Sequence, residues 1–186
     1  MQDIKNSNII KGDEVWLFLG IREDNATGAT NFYPVAFSNQ HSITNGMSTQ
    51  NVSSKYHGNA PAIIPGEKTW TCTTEALMSL SGNPVSGATG TAAVQDYGFD
   101  KIYDAYANNK IVDVQFGKLY GQFSGQTGAY NPQGCVENDT PIWALDPDTV
   151  YEGCGYITNL PVTANHGDSA TMSIEISGLG LLTKKN

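Results

Sequence analysis

Apolar residues recur in this sequence mainly at every second position, the spacing of a β-strand that buries one face. The segment 111–116, Ile-Val-Asp-Val-Gln-Phe, alternates strictly and predicts such a strand. The segment 15–19, Val-Trp-Leu-Phe-Leu, is apolar at every position, which predicts a strand with something packed against both faces. The segment 69–74 is rich in Thr and contains Trp, the composition of a pleated surface. A chain patterned in this way folds mainly into β-sheet.

A hairpin is predicted near the C-terminus. The segments 156–160 and 172–176 flank the run 165–168, Asn-His-Gly-Asp, which is a strong turn signal. The two segments therefore predict an antiparallel pair of strands. Because side chains alternate across a strand, we expect one face of the second strand to point into the core. That face consists of Met172, Ile174 and Ile176.

One α-helix is predicted at about residues 97–108. Its apolar residues follow the spacing i, i+3, i+4, i+7 and form a single stripe. The stripe consists of Phe99, Ile102, Tyr103 and Tyr106. Asp96 is the predicted N-cap, and Asn108-Asn109 can end the helix. We expect the stripe to dock on the sheet.

Two long segments lack any periodicity and are predicted to be loops. They cover about residues 45–68, rich in Asn, Ser, Gly and Pro, and about residues 118–150. Loops longer than about 15 residues are uncommon in compact domains unless they carry function or contact something else. We therefore expect contacts beyond one subunit. The sequence contains no internal repeat and no linker, so it predicts a single domain over residues 1–186.

Acidic residues outnumber basic ones, eighteen to ten, for a net charge of −8. The one arginine is Arg22, and no base lies between Lys118 and Lys184, where seven acids are found. Those acids are Glu137, Asp139, Asp146, Asp148, Glu152, Asp168 and Glu175. Affinity for nucleic acid depends on neutralising several phosphates. The charge balance disfavours a nucleic-acid-binding function.

Motifs of catalysis, cofactor binding and metal binding are missing from the sequence. His166, Asp168 and Ser169 have the residue types of nucleophilic catalysis, but they are crowded into one predicted turn. The three cysteines, Cys72, Cys135 and Cys154, have no metal-ligand spacing, so we expect reduced thiols. We expect no catalytic residue, no cofactor and no metal. No apolar stretch approaches the length of about 20 residues that spans a membrane, and no secretion signal is recognisable.

Several short motifs follow one another in order along nearly the whole chain. They are residues 11–19, Ser53-Ser54-Lys55, residues 66–75, residues 110–117, residues 151–158 and residues 168–180. The most specific are the Ser-Lys loop before a Trp-Thr strand and Gly178-Leu179-Gly180 after an alternating strand. The ordered set resembles the tail tube (major tail) proteins of long-tailed bacteriophages. The segment 118–150 is longer than the family pattern.

The resemblance implies an antiparallel β-sandwich or barrel-like core with one flanking helix. It implies subunits that form closed rings, commonly hexamers, stacked into a hollow tube through which the genome passes. The implied partners are further copies of the chain, the tape measure, tail terminator and baseplate proteins, and double-stranded DNA that passes without specific binding. The implied location is the virion tail, after synthesis in the host cytoplasm. The family has no catalytic residues and no membrane contact.

Five residues are our candidates for contacts between subunits. Trp16 and Phe18 lie on the strand that is apolar on both sides, and Lys55 lies in the Ser-Lys loop. Ile63 and Ile64 form an apolar plug that we expect to enter a neighbouring subunit. We also expect acids on the channel wall, because a basic wall would hold DNA.

Two other classes of function remain as alternatives. One is a different tube-forming part, such as a tail terminator, a baseplate hub or a secretion-type tube. The other is a monomeric carbohydrate-binding β-sandwich, for which Trp143, in a predicted loop, is the candidate ligand contact. Rings or tubes in negative-stain microscopy would favour the tube-forming proteins.

Overall fold

The computed structural model describes residues 12, 15–24, 28, 32–53, 62–80, 97–123 and 141–185. The described chain is mainly β. Its strands are β1 (Val15–Ile21), β2 (Tyr33–Pro34), β3 (Ser38–Asn51), β4 (Ile63–Leu77), β5 (Ile111–Phe123), β6 (Pro141–Leu145), β7 (Tyr151–Asn159), β8 (Val162–Thr163) and β9 (Thr171–Lys184). One α-helix, α1 (Phe99–Ala107), precedes β5, and a short 3-10 helix (Pro147–Thr149) precedes β7.

The strands form one antiparallel sheet in the order β2-β1-β5-β7-β9-β4-β3. In addition, β6 pairs with the outer part of β5, and β8 pairs with the start of β9. This arrangement confirms the mainly β, antiparallel fold with one flanking helix. β9 lies between β7 and β4 and pairs with both, so it connects the two halves of the sheet.

The strand alternation places one face of the sheet against a single core. In β5, Val112 and Val114 are fully buried, while Asp113 between them is not. In β1, Leu17 and Leu19 belong to the same core cluster. The predicted inward residues of β9 are also buried, at 1% exposure or less: Met172, Ile174 and Ile176.

The predicted C-terminal hairpin is confirmed. Ile157 of β7 lies opposite Ile176 of β9, and the connection contains the expected turn, in which the backbone N–H of Asp168 donates to the carbonyl of Asn165 at 3.2 Å. The short strand β8 also lies in this connection and pairs with the beginning of β9. The turn is exposed, so its polar side chains remain in water.

The helix is present, but two details of its prediction are wrong. It begins after Gly98, whereas the predicted N-cap, Asp96, lies outside the described residues. Its buried residues are Ile102 and Ala105, not the tyrosines of the predicted stripe. Those tyrosines, Tyr103 and Tyr106, are 52% and 42% exposed. The small Ala105 packs into the core cluster, and the tyrosine side chains stay partly in water.

Both predicted long loops are partly strand, which corrects the sequence interpretation. In the segment 45–68, residues 45–51 belong to β3 and residues 63–68 to β4. In the segment 118–150, β5 continues to Phe123, and β6 and the 3-10 helix follow. These strands escaped prediction because they lack an apolar alternation. Residues 54–61 and 124–140 lie outside the described part of the chain.

Candidate assembly surfaces

The hairpin of β3 and β4 is longer than the sheet that supports it. β9 pairs with β4 only between Thr71, opposite Ser177, and Leu77, opposite Thr171. Beyond Thr71 the two strands of the hairpin pair only with each other in the described structure, as far as Asn51 opposite Ile63. Every residue of 45–51 and 63–69 is exposed. We call these two segments the arm.

The arm has apolar side chains in water on a ribbon that nothing in the described chain covers. Met47 is 51% exposed, Ile63 57% and Ile64 51%. An isolated two-stranded ribbon is marginally stable in water, because neither face removes apolar surface from solvent. Contact with a second surface would therefore stabilise the arm.

A second surface is the side of β3, β4, β9 and β7 that points away from the core. The strand register brings a set of small polar side chains together on it. They are Gln40, Ser42, Thr44, Thr71, Thr73, Glu75, Thr158, Ser173, Glu175 and Ser177. We call this surface the hydroxyl face. None of these ten positions is Lys or Arg.

Two carboxylates give the hydroxyl face its charge. Glu75 lies opposite Ser173, and Glu175 lies opposite Thr73, so the two glutamates are diagonal neighbours on adjacent strands. Within the described residues neither forms an ion pair. Hydroxyl groups join strands here: Thr158 Oγ1 donates to the carbonyl of Glu175 at 3.3 Å and lies 3.3 Å from Ser177 Oγ. The surface is polar, hydrogen-bonded and negatively charged.

No family model and no curated protein matches the sequence. Solved structures do match. The tail of an empty gene transfer agent particle, refined with C6 symmetry, aligns at a TM-score of 0.60 and 10% identity over 96% of this chain and 100% of that chain. The SPP1 tail tube aligns at 0.57 and 17% identity over 96% of this chain and 80% of that chain. A chain of a native gene transfer agent virion aligns at a TM-score of 0.58 and 11% identity over 96% of this chain and 100% of that chain.

The chain has the tail tube fold. At these identities the likeness is one of fold, and it agrees with the family resemblance of the ordered motifs. The alignments cover nearly the whole chain, so the likeness of fold is not confined to one part of it.

The predicted contact residues lie at different places on the tail tube fold. Ile63 and Ile64 begin β4 and belong to the arm. Trp16 is half-buried, and Phe18 is only 3% exposed, so Phe18 has little surface to offer a partner. Lys55 lies outside the described residues. That these side chains contact another subunit stays a prediction.

Sequence reasoning missed the hydroxyl face. It assigned the inward positions of β9 and predicted a strand at 69–74, but it gave no role to the outward positions of either strand. The available signal was the run of hydroxyl side chains at alternate positions, Thr71 and Thr73 in one strand and Ser173 and Ser177 in the other. Only the pairing of β4 with β9 shows that they share a surface.

Other sequence candidates have structural places. Trp143 lies in β6 and not in a loop, which corrects the premise of the carbohydrate-binding alternative. Cys72 and Cys154 are free thiols, and Cys135 lies outside the described residues. In the described ranges no group of three or more His, Cys, Asp or Glu side chains could hold a metal ion. No helix in those ranges has the length and hydropathy needed to cross a membrane.

Proposed function

We propose that this protein is the structural subunit of a phage-type tail tube. Copies assemble into closed rings, and the rings stack into a hollow conduit for the genome. The arm is the observation that carries the proposal: a paired ribbon exposed on both faces, in a chain with the tail tube fold. We propose rings of six, the symmetry used for the gene transfer agent tail.

The arm supplies the interface that a stack of rings requires. A ring needs a heterologous contact whose rotation closes, and a stack needs a second contact along the axis. Ile63 and Ile64 are each about half exposed in the single chain. Burying a large apolar side chain completely stabilises by about 1.5–3 kcal/mol, so covering the exposed half of both adds about 1.5–3 kcal/mol per arm.

The edge of the sheet supports the ring contact. β3 is the last strand in the order, and its 14 residues pair on one side only, with β4, in the described structure. Unpaired backbone groups along such an edge favour pairing with a strand of another chain. A neighbouring copy in the same ring would satisfy them.

The hydroxyl face is our candidate for the channel wall. Duplex DNA carries one charge per about 1.7 Å, and Lys or Arg side chains on a wall would hold it. Glu75 and Glu175 repel phosphate, with a range of about 8–10 Å at physiological salt. DNA therefore passes without specific binding. The tape measure, tail terminator and baseplate proteins are the proposed further partners, and the virion tail the proposed location, after synthesis in the host cytoplasm.

The decisive experiment compares assembly of the wild type with an arm variant. We expect concentrated wild-type protein to form rings or tubes in negative-stain images. The double variant Ile63→Ser/Ile64→Ser removes two exposed apolar side chains and leaves the core intact, so we expect a folded monomer. Leu80→Ser, at a residue 62% exposed outside the arm, is the control and should still assemble.

Two results would contradict the proposal. Wild-type protein that stays monomeric at high concentration would refute the tube. Normal tubes from the arm variant would refute the role of the arm. Circular dichroism of each variant shows whether a loss of assembly reflects a loss of folding.

A further inference from the structure

We propose that Trp70 positions the arm, so that its indole sets the direction in which the arm leaves the subunit. This inference rests on the proposed tube function and adds a residue that acts on assembly without touching the partner. Trp70 lies at the boundary between the arm and the rest of the subunit, which we call the body. Thr69 is exposed, while Trp70 is only 2% exposed. Across the hairpin it pairs with Asn45, the first arm residue of β3.

The indole of Trp70 lies against bare backbone in two other strands. A Cβ atom added to Gly178 of β9 would overlap the fused ring atoms. A Cβ added to Gly153 of β7 would come within 2.7 Å of Cζ2. Gly178 pairs with Gly155, and Gly153 lies two residues from Gly155 along β7. Glycines within strands are otherwise unfavourable, because they bury no side chain. Here they form a flat seat that fits the full breadth of an indole.

The seat lies where the arm loses its other support. The pairing of β9 with β4 ends at the Thr71–Ser177 pair, so Trp70 is the first residue of β4 that has no pairing partner in β9. All described residues of the arm are exposed, so their side chains contribute little to fixing the arm against the rest of the subunit. The root of the hairpin, with Trp70 seated on Gly153 and Gly178, therefore determines the direction of the arm.

The buried indole N–H makes an unfavourable contribution to the stability of the isolated subunit. Trp70 Nε1 is buried and has no hydrogen-bond partner in the described structure. A buried donor without a partner is destabilising, and a Leu or Phe side chain would avoid that loss. A broad, rigid ring that contacts two strands fixes the direction of the arm better than these smaller side chains would.

The test compares Trp70→Leu with a matched core variant, Ile102→Ala. Ile102 is a fully buried residue of α1, so its truncation also destabilises the subunit without touching the arm root. The unfolding free energy and the critical concentration for tube assembly are measured for both, at a temperature where both are folded. We expect Trp70→Leu to raise the critical concentration by about tenfold or more, a loss of about 1.4 kcal/mol. Ile102→Ala should stay within about twofold of the wild type.

Equal critical concentrations for Trp70→Leu and the wild type would overturn the inference, as would an equal loss in Ile102→Ala at matched stability. If Trp70→Leu does not fold, Trp70→Phe decides the question, because it keeps an aromatic ring but not the breadth that reaches Gly153. We expect folded Trp70→Phe subunits with a raised critical concentration, and an unchanged one would refute the role. Failure of the wild type to assemble would instead refute the tube function itself.

Discussion

Arg22, the residue after β1, and Asp113, near the start of β5, form a bidentate ion pair. The guanidinium donates from Nε to Oδ2 at 2.9 Å and from Nη2 to Oδ1 at 2.6 Å. Both side chains are mostly buried, at 18% and 14% exposure. The hydrogen bond to Asp113 is the main reason why the pKa of Arg22 is raised. The one arginine of the chain is thus neutralised within its own subunit.

Removing the negative charge of Asp113 should destabilise the subunit. Asp113→Asn leaves a largely buried guanidinium without its charged partner, so we expect the unfolding free energy to fall by about 1–3 kcal/mol. Asp168→Asn, at an exposed turn carboxylate, should change it by less than about 0.5 kcal/mol. Urea denaturation measures both. Equal, small effects of the two variants would show that the ion pair contributes nothing.

His41 should make the root of the β3–β4 hairpin sensitive to acid. Thr74 Oγ1 donates to the carbonyl of Gln40 at 3.1 Å, so it accepts the Nδ1 hydrogen of His41 at 2.8 Å. Burial lowers the pKa of His41 from 6.5 to about 4. Between these two pH values the unfolded chain binds more protons than the folded one. The stabilisation is therefore complete above pH 6.5 and is lost as the pH falls toward 4.

The expected loss from His41 is at most about 3 kcal/mol between pH 7 and pH 4. Other groups titrate in this range as well, so the wild type is compared with His41→Gln, which cannot be protonated. Urea denaturation at pH 7, 5.5 and 4 should show a steeper decline for the wild type. Parallel declines would contradict the assignment to His41.

Cys72 should resist thiol reagents until the protein unfolds. Its side chain is fully buried, and burial raises its pKa to about 12. The reactive species is the thiolate, of which about one part in ten thousand is present at pH 8. In the variant Cys135→Ser/Cys154→Ser, Cys72 is the remaining thiol. Its reaction with Ellman's reagent should occur only when the native state opens globally. The half-buried Cys154, alone in Cys72→Ala/Cys135→Ser, should react about 100-fold faster. Similar rates would disprove the prediction.

Reversing the charge of the hydroxyl face should make assembled tubes retain DNA. Glu75→Lys/Glu175→Lys places two lysines per subunit on the proposed wall, where they would neutralise phosphates. When tubes assemble with short duplex DNA present, we expect about tenfold more nuclease-protected DNA than for the wild type, and less at 200 mM than at 50 mM salt. The control, Asp100→Lys/Asp168→Lys, changes the net charge by the same amount at positions outside the hydroxyl face. DNA mixed with tubes of this variant should be digested. Equal protection in both double variants would place the wall elsewhere.

Much of the body of the fold follows from local patterns, whereas the arm does not. The segment 111–116 and the C-terminal hairpin have one face in the core, so burial imposes an alternation that is readable in the sequence. Residues 45–51 and 63–68 bury neither face and carry no such signal, so these strand segments were predicted as a loop. The buried face of α1 was also misread, because the small Ala105 and not the larger Tyr106 faces the sheet.

The sequence by itself determined the strand at 111–116, the C-terminal hairpin, which side chains of β5 and β9 enter the core, and that the chain is acidic with a single arginine. These properties depend on local backbone geometry and on composition. Only the tertiary structure decided that β9 separates β7 from β4, that Glu75 and Glu175 share a surface, and that Trp70 is seated on Gly153 and Gly178. Such neighbours are distant along the chain, and their pairing is set by long-range hydrogen bonding and packing. A periodic pattern of apolar residues does not reveal which strands pair.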